Sequence, residues 1–162
     1  MQQKILTLLD DLNVDYEYLT HAAAHTMADL ADFDAQTNAV YMKNLFLRNA
    51  NGKKHYLVVV KGDKRVDLKK LAKAIGATRL SFASDERLKK HLNLTQGHVG
   101  PFGLVYDTDN NVTTVLDKDI IGLPRISFHP NDNTATVIVS YDGLQRFLKH
   151  MGANVVTANI EE

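Results

Sequence analysis

The chain has 162 residues, 44% of them hydrophobic and 23% charged, enough for one ordinary core and too few for two comfortable domains. Nineteen Lys and Arg balance nineteen Asp and Glu, so attraction to a polyanion has to come from a local patch and not from net charge. No cysteine is present, which excludes disulfides, thiolate nucleophiles and cysteine-based zinc sites and fits a reducing compartment.

Ile5, Leu8, Leu9 and Leu12 recur at helical spacing, so the first dozen residues read as an amphipathic helix. That start lacks an apolar run followed by a small-residue cleavage site, and no apolar stretch approaches the ~20 residues of a membrane span. A cytoplasmic protein without membrane contact is expected. Tyr16 to Leu19 suits a short strand, and Thr26 with Asp29 resembles a capping box opening a helix at Met27. Ala39 to Arg48 and His55 to Lys61 read as strands, with Asn51-Gly52 as the hairpin signal, since both residues tolerate positive φ. Asp67 and Ser84 are expected to cap helices over Leu68 to Ile75 and Asp85 to Leu92, with Gly76 ending the first. Thr95 to Pro101 breaks periodicity, and Gly103 to Tyr106 with Val112 to Leu116 read as a second hairpin around the polar turn Asp107 to Asn111. Arg125 to Phe128 and Thr134 to Val139 add strands, Ser140 caps a last helix stopped at Gly152, and Thr157 to Glu162 is expected to be loosely held. Without strict βαβ alternation, an α+β (loosely α/β) single domain over residues 1–162 is expected, with a central mixed, mostly antiparallel sheet flanked by helices.

The spacings exclude several familiar sites. There is no H-E-x-x-H, no phosphate-binding G-x-x-x-x-G-K-[ST] and no G-x-S-x-G elbow. His21 and His25 lie four apart but have no evident third ligand, so no metal is expected. Lys43 sits among Tyr41, Met42, Leu45, Phe46 and Leu47, where it is either an outward-pointing solvated lysine or a site cation. Gly97 to Phe102 is either an ordinary tight loop or a place where backbone N–H groups approach an oxyanion or a ribose. His129 before Pro130 is either a satisfied turn imidazole or a site residue. Lys61, Lys64, Arg65, Lys69, Lys70 and Lys73 form the densest basic stretch, a solvated face or a phosphate contact.

Taken in order, Lys43-Asn44-Leu45-Phe46-Leu47-Arg48, Tyr56-Leu57-Val58-Val59, Val66 to Ala72, Arg79 to Ser84, Gly97-x-Val99-x-Pro101-Phe102-Gly103-Leu104 and Phe128-His129-Pro130 with Asn133 to Thr136 closely resemble the free-standing prolyl-tRNA deacylases of the YbaK and ProX-like superfamily. These are relatives of the editing domain inserted in bacterial prolyl-tRNA synthetases. The likeness runs from about His21 to Gly152. It implies hydrolysis of alanine wrongly esterified to proline tRNA, with the tRNA acceptor end as partner, a transient association with prolyl-tRNA synthetase, and neither cofactor, metal nor covalent intermediate. The family's lysine and asparagine fall on Lys43 and Asn44, its glycine loop on Gly97 to Phe102, and its histidine on His129; Lys43, Asn44, Gly97, His98, Val99, Gly100 and His129 are the implied catalytic set. His21, Thr26, Pro101, Phe102, Asn133 and Thr134 are the implied substrate contacts. Many relatives carry hydroxyl residues where this chain has His98 and Gly100, and a proline where it has Ala22. Two alternatives stand beside this reading: the same chemistry on another misacylated tRNA, such as the cysteinyl form, and a noncatalytic module that binds aminoacyl-tRNA or a synthetase.

Overall fold

The computed structural model describes residues 2–20, 38–130 and 134–160. Helix α1 (Gln2–Asp11) buries Ile5 and Leu9 against the body, as their spacing requires. Strand β1 (Tyr16–Thr20) follows. The long strand β2 (Val40–Arg48) and β3 (His55–Lys61) pair antiparallel from Met42↔Lys61 to Arg48↔His55. The loop between them spans residues 49–54, and of Asn51 and Gly52 only Gly52 takes positive φ, at 70°. Asn49 closes this loop: its side chain accepts from the Lys54 N–H at 3.1 Å and its own N–H reaches the Lys54 carbonyl. The loop is therefore longer than a two-residue primed turn.

Helix α2 (Leu68–Ile75) has Asp67 accepting from the N–H groups of Lys69 and Lys70, and Gly76 in the left-handed region ends it. A short β4 (Ser81–Phe82) and helix α3 (Asp85–Leu92) follow, α3 capped by Ser84 through the Arg87 N–H. Each such cap is worth roughly 1 kcal/mol. Beyond α3 the expected second hairpin is absent. Pro101–Tyr106 is a 3-10 helix with proline in its first turn, and the Gly103 N–H donates to the Gly100 carbonyl. The buried Asp107 carboxylate accepts from the N–H groups of Asn111 and Val112 and starts β5 (Val112–Asp117) directly.

After β6 (Ile126–Phe128), β7 (Ala135–Val139) and α4 (Tyr141–His150, capped by Ser140), Thr157 and Ala158, expected in a loose tail, lie instead in a strand, β8 (Asn154–Ala158). β8 pairs parallel with β5 up to Asp117↔Ala158, and Ala158 and Ile160 are buried, so apolar contact holds residues 158–160 down.

The eight strands form one mixed sheet in the order β1-β7-β6-β2-β3-β5-β8, with β4 beside β2. The β1·β7, β7·β6, β2·β3 and β2·β4 pairs are antiparallel, and β6·β2, β3·β5 and β5·β8 are parallel. α1, α3 and α4 bury Ile5, Leu88, Leu92, Leu144 and Phe147 in the main core on one face, with Met42, Phe46, Leu57 and Val59 of the sheet. On the other face α2 packs Leu71 and Ala72 against Leu47, Tyr56, Val58 and Val60. β3, covered on both faces, reads accordingly as an unbroken apolar run from Tyr56 to Val60. β2 divides its outer edge: Val40 and Tyr41 pair with β6, while Leu47 and Arg48 pair with β4. Among the described residues no strand pairs with that edge between them.

Candidate active site

The open stretch of the β2 edge is where Lys43 and Asn44 lie. Successive residues on a strand face opposite sides. Asn44 shares its side with Met42 and Phe46, which enter the main core, and Lys43 shares its side with Leu45 and Leu47, which face α2. The two therefore leave β2 on opposite faces. Lys43 Nζ donates to the Lys64 carbonyl at 2.5 Å, which holds the ammonium against the loop after β3. The Asn44 side-chain oxygen is buried and has no hydrogen-bond partner among the described residues, the kind of orphan that costs about 1–3 kcal/mol unless something else satisfies it.

The carbonyl that holds Lys43 is itself anchored. Lys64 Nζ lies 2.9 Å from Asp117, 2.6 Å from Asp119 and 3.3 Å from the Ile160 carbonyl. Burial pushes the Lys64 pKa down, but hydrogen bonds and charge from Asp119 and Asp117 outweigh it and hold it above the usual lysine value. The Lys64 hydrogen bond in turn holds the Asp119 carboxyl below its usual range. Asp117 is fully buried and also accepts from the N–H groups of Lys61 and Asp119. Nothing in local spacing pairs Lys64 with Asp117, 53 residues apart, and the sequence showed Lys64 only as one member of a basic stretch.

β6 runs beside β2 in the register Val40↔Ile126, Tyr41↔Ser127, so His129, two residues past the last paired position, is level with Lys43. Ile126 and Phe128 face the main core. Continuing that pleat, His129 leaves on the other side, the one shared with Lys43. Its Nδ1 lies 3.0 Å from the Ala135 carbonyl. A carbonyl only accepts, so Nδ1 carries a proton.

Gly100 adjoins this histidine: a Cβ there would meet the His129 carbonyl at 3.7 Å. Its φ of −173° is extended backbone that any residue adopts. Gly97 differs, with φ of +86° and no atom within 4 Å of a would-be Cβ, so glycine serves conformation there. The turn is closed by the His98 N–H donating to the Thr95 carbonyl at 3.1 Å. His98 and Val99 are half-buried, and Val99 leans on the main core. Pro101 and Phe102, expected against substrate, are buried. Phe102, 1% exposed, meets Phe128 and Phe147 edge-on at 6.0 and 5.2 Å, so it props the loop from beneath. Thr134 is exposed just before β7, while His21, Thr26 and Asn133 lie outside the described residues, as does the helix expected at Met27.

Among the described residues no three His, Asp or Glu side chains group as a metal-ligand set. A cavity of about 790 Å³ beside α2, lined by Leu68, Lys73 and Arg79 among others, includes none of the expected site residues.

The open strand edge, the glycine turn and the oriented histidine sit within a recognised class: residues 21–147 match the aminoacyl-tRNA editing domain family, and the chain belongs to it. It is an editing domain, a hydrolase of the ester that joins an amino acid to tRNA. The chain is 42% identical to the prolyl-tRNA editing protein ProX of Acetoanaerobium sticklandii, over 93% of this chain and 92% of that one. It is 30% identical to prolyl-tRNA synthetase associated domain-containing protein 1 of Danio rerio, over 92% and 82%. In fold it is similar to a crystal structure described as a candidate trans-editing enzyme for prolyl tRNA synthetase, with a TM-score of 0.73 at 23% identity, covering 99% and 96% of the two chains.

Proposed function

We propose that the protein is a trans-editing deacylase that hydrolyses alanyl-tRNA of the proline type. The observation that carries this reading is the 42% identity to a prolyl-tRNA editing protein along nearly the whole of both chains, and the geometry at the β2 edge supplies a chemistry for it. An aminoacyl ester is already activated, so positioning and electrostatics suffice for attack by water. Lys43 supplies a point charge for the terminal phosphate or the ester carbonyl. The N–H groups of Gly97, Val99 and Gly100, the His98 N–H being engaged by Thr95, stabilise the tetrahedral oxyanion. His129, its ring oriented by the Nδ1 contact to the Ala135 carbonyl, positions the ribose or the amino acid beside the ester. Asn44, with its buried unpartnered oxygen, orients the acylated end. The reaction needs neither a metal nor a covalent intermediate.

The setting is the translation machinery in the cytoplasm, with transient contact to prolyl-tRNA synthetase, a reading supported by the name of the Danio rerio relative. No helix of the described residues is long and apolar enough to cross a membrane. The test is deacylation by purified protein of alanyl, cysteinyl and prolyl esters on the same proline tRNA, with and without a chelator. Rapid loss of the alanyl ester alone, unaffected by chelation, is expected. Preference for the cysteinyl ester moves the substrate, no turnover leaves a binding module, and loss of turnover restored by zinc overturns the metal-free chemistry.

A further inference from the structure

At the far end of the sheet a second constellation lies outside the proposed catalytic set. A cavity of about 460 Å³ opens between the 49–54 loop and α3, with Lys53, His55, Glu86, Arg87, Lys90 and His91 in its wall. His55 on β3 is the register partner of Arg48, five residues before Val60, the partner of Lys43, which puts the cavity roughly 16 Å along the strand from Lys43.

Arg87 is built in. Its Nη1 donates to the Gly52 carbonyl at 2.9 Å and approaches His55 Nε2 at 3.1 Å. A guanidinium has no acceptor, so His55 Nε2 accepts and the ring is neutral. Gly52 is required here: its φ is +70°, and a Cβ would come within 2.9 Å of Arg87 Nη2. Both Nη1 protons are thus engaged, while Nη2 and Nε keep three donors with no partner among the described residues. Lys53 and Lys90 are exposed and form no ion pair among the described residues, and neither does the nearby Glu86. His55 and His91 lie against each other, ring centroids 4.2 Å apart, and against Phe46 at 5.5 and 6.1 Å. Burial, reinforced by the surrounding cations, lowers the pKa of both rings, that of His55 to about 4. Three cationic side chains, the anchored Arg87 and the exposed Lys53 and Lys90, thus line a recess that holds one carboxylate, Glu86, and whose two imidazoles are kept from adding to them, so positive charge is in excess there.

We propose that this recess is a phosphate-binding site, in which Arg87 gives paired N–H donors to the phosphoryl oxygens and Lys53 and Lys90 supply charge. Phosphate reaches such a site either as the backbone of an RNA bound by the protein or as a free phosphate. Either source fits a protein whose net charge is zero, since the attraction is local.

The experiment follows the His55 and His91 imidazole signals by NMR while inorganic phosphate, or sodium chloride at equal ionic strength, is added. In parallel, the affinity of an uncharged acceptor-stem RNA hairpin is measured at several salt concentrations. Uncharged RNA keeps the result independent of whether the protein hydrolyses any ester. Phosphate, and not chloride, is expected to move both signals in the wild type and not in a Lys53→Gln/Lys90→Gln variant, whose changes touch only exposed side chains. If the source is RNA, the same variant binds the hairpin about tenfold more weakly and its log–log salt slope falls by between one and two. Unchanged hairpin binding by the variant, with a phosphate response that the wild type shows and the variant lacks, assigns the site to free phosphate. If inorganic phosphate moves the two histidines no further than the chloride control, or equally in the variant, and the variant binds the hairpin as the wild type does, the site does not bind phosphate and the proposal falls.

Discussion

Lys43 shows how a single residue can look ordinary in sequence and constrained in three dimensions. It leaves β2 on the α2 side, yet its ammonium is tied to the Lys64 carbonyl, and Lys64 is clamped by Asp117 and Asp119. If this charge acts on the ester, Lys43→Ala lowers deacylation by roughly 10², the order for one preorganised stabilising group. The fold stays intact, because the lost bond is one side chain to one carbonyl. A folded variant of undiminished turnover removes Lys43 from the mechanism. His55 makes a different claim, on stability. Desolvation first, then the charges of His91, Arg87, Arg48 and Lys90, lower its pKa from 6.5 to about 4. His91 is lowered too, with Asp107 pulling the other way. Between those values the unfolded chain binds a proton that the folded chain refuses, so stability is complete above about pH 6.5 and is lost as pH falls toward 4. Thermal melting across that window is expected to show a falling midpoint, and a smaller fall in His55→Gln. Equal slopes in both proteins remove His55 as the source.

At the scale of elements, what was legible in the sequence was what is settled locally. Asp67, Ser84, Ser140 and Gly76 mark helix ends because a cap acts within a few residues, and Ile5 with Leu9 marks a buried helical stripe. The misreadings involve distant partners. Residues 103–106 look like half a hairpin, but β5 finds its neighbours in β3 and β8 and leaves them to a 3-10 helix. Residues 157–160 look like a tail until Ile160 meets the α2 side of the sheet. The candidate site divides in the same way. Lys43, the glycine turn and His129 stand out as residue types, whereas the opposite faces of Lys43 and Asn44, the Lys64 anchor and the Ala135 carbonyl depend on register. The glycine turn offers a clean separation of these effects. Gly100 is extended and a Cβ there meets only the His129 carbonyl at 3.7 Å, whereas one on Gly103 would lie 2.7 Å from Leu94 Cδ1. Gly103→Ala is therefore expected to cost about 1–3 kcal/mol of stability through overpacking. Gly100→Val instead is expected to spare the melting temperature and damage turnover, because its side chain takes up ligand space. Equal loss of stability and activity at Gly100 reduces the turn to an ordinary structural one.

For the molecule as a whole, the question is what an aminoacyl-tRNA editing domain must reject. A synthetase site shaped for proline cannot sterically exclude the smaller alanine, and each missing methylene is worth only ~1–3 kcal/mol of discrimination, so a second site has to remove the error. There size works in the opposite sense: a pocket that admits a methyl group and clashes with a pyrrolidine ring spares correctly charged prolyl-tRNA. If the glycine turn supplies that wall, Phe102 is not part of it, since its ring packs in the core against Phe128 and Phe147. Half-buried Val99 and His98 remain as the side chains beside Gly100. With an imidazole at 98 and no side chain at 100, a pocket walled by this turn would leave room for a hydroxyl beside the methyl group, so a seryl ester joins the alanyl one as an expected substrate. Alanyl and seryl esters on proline tRNA are therefore expected to be hydrolysed, and the prolyl ester on the same tRNA to survive. Enlarging position 98 by His98→Trp is expected to depress the seryl rate more than the alanyl rate. Comparable rates for alanyl and prolyl esters remove size exclusion as the basis of selectivity and leave recognition to the tRNA.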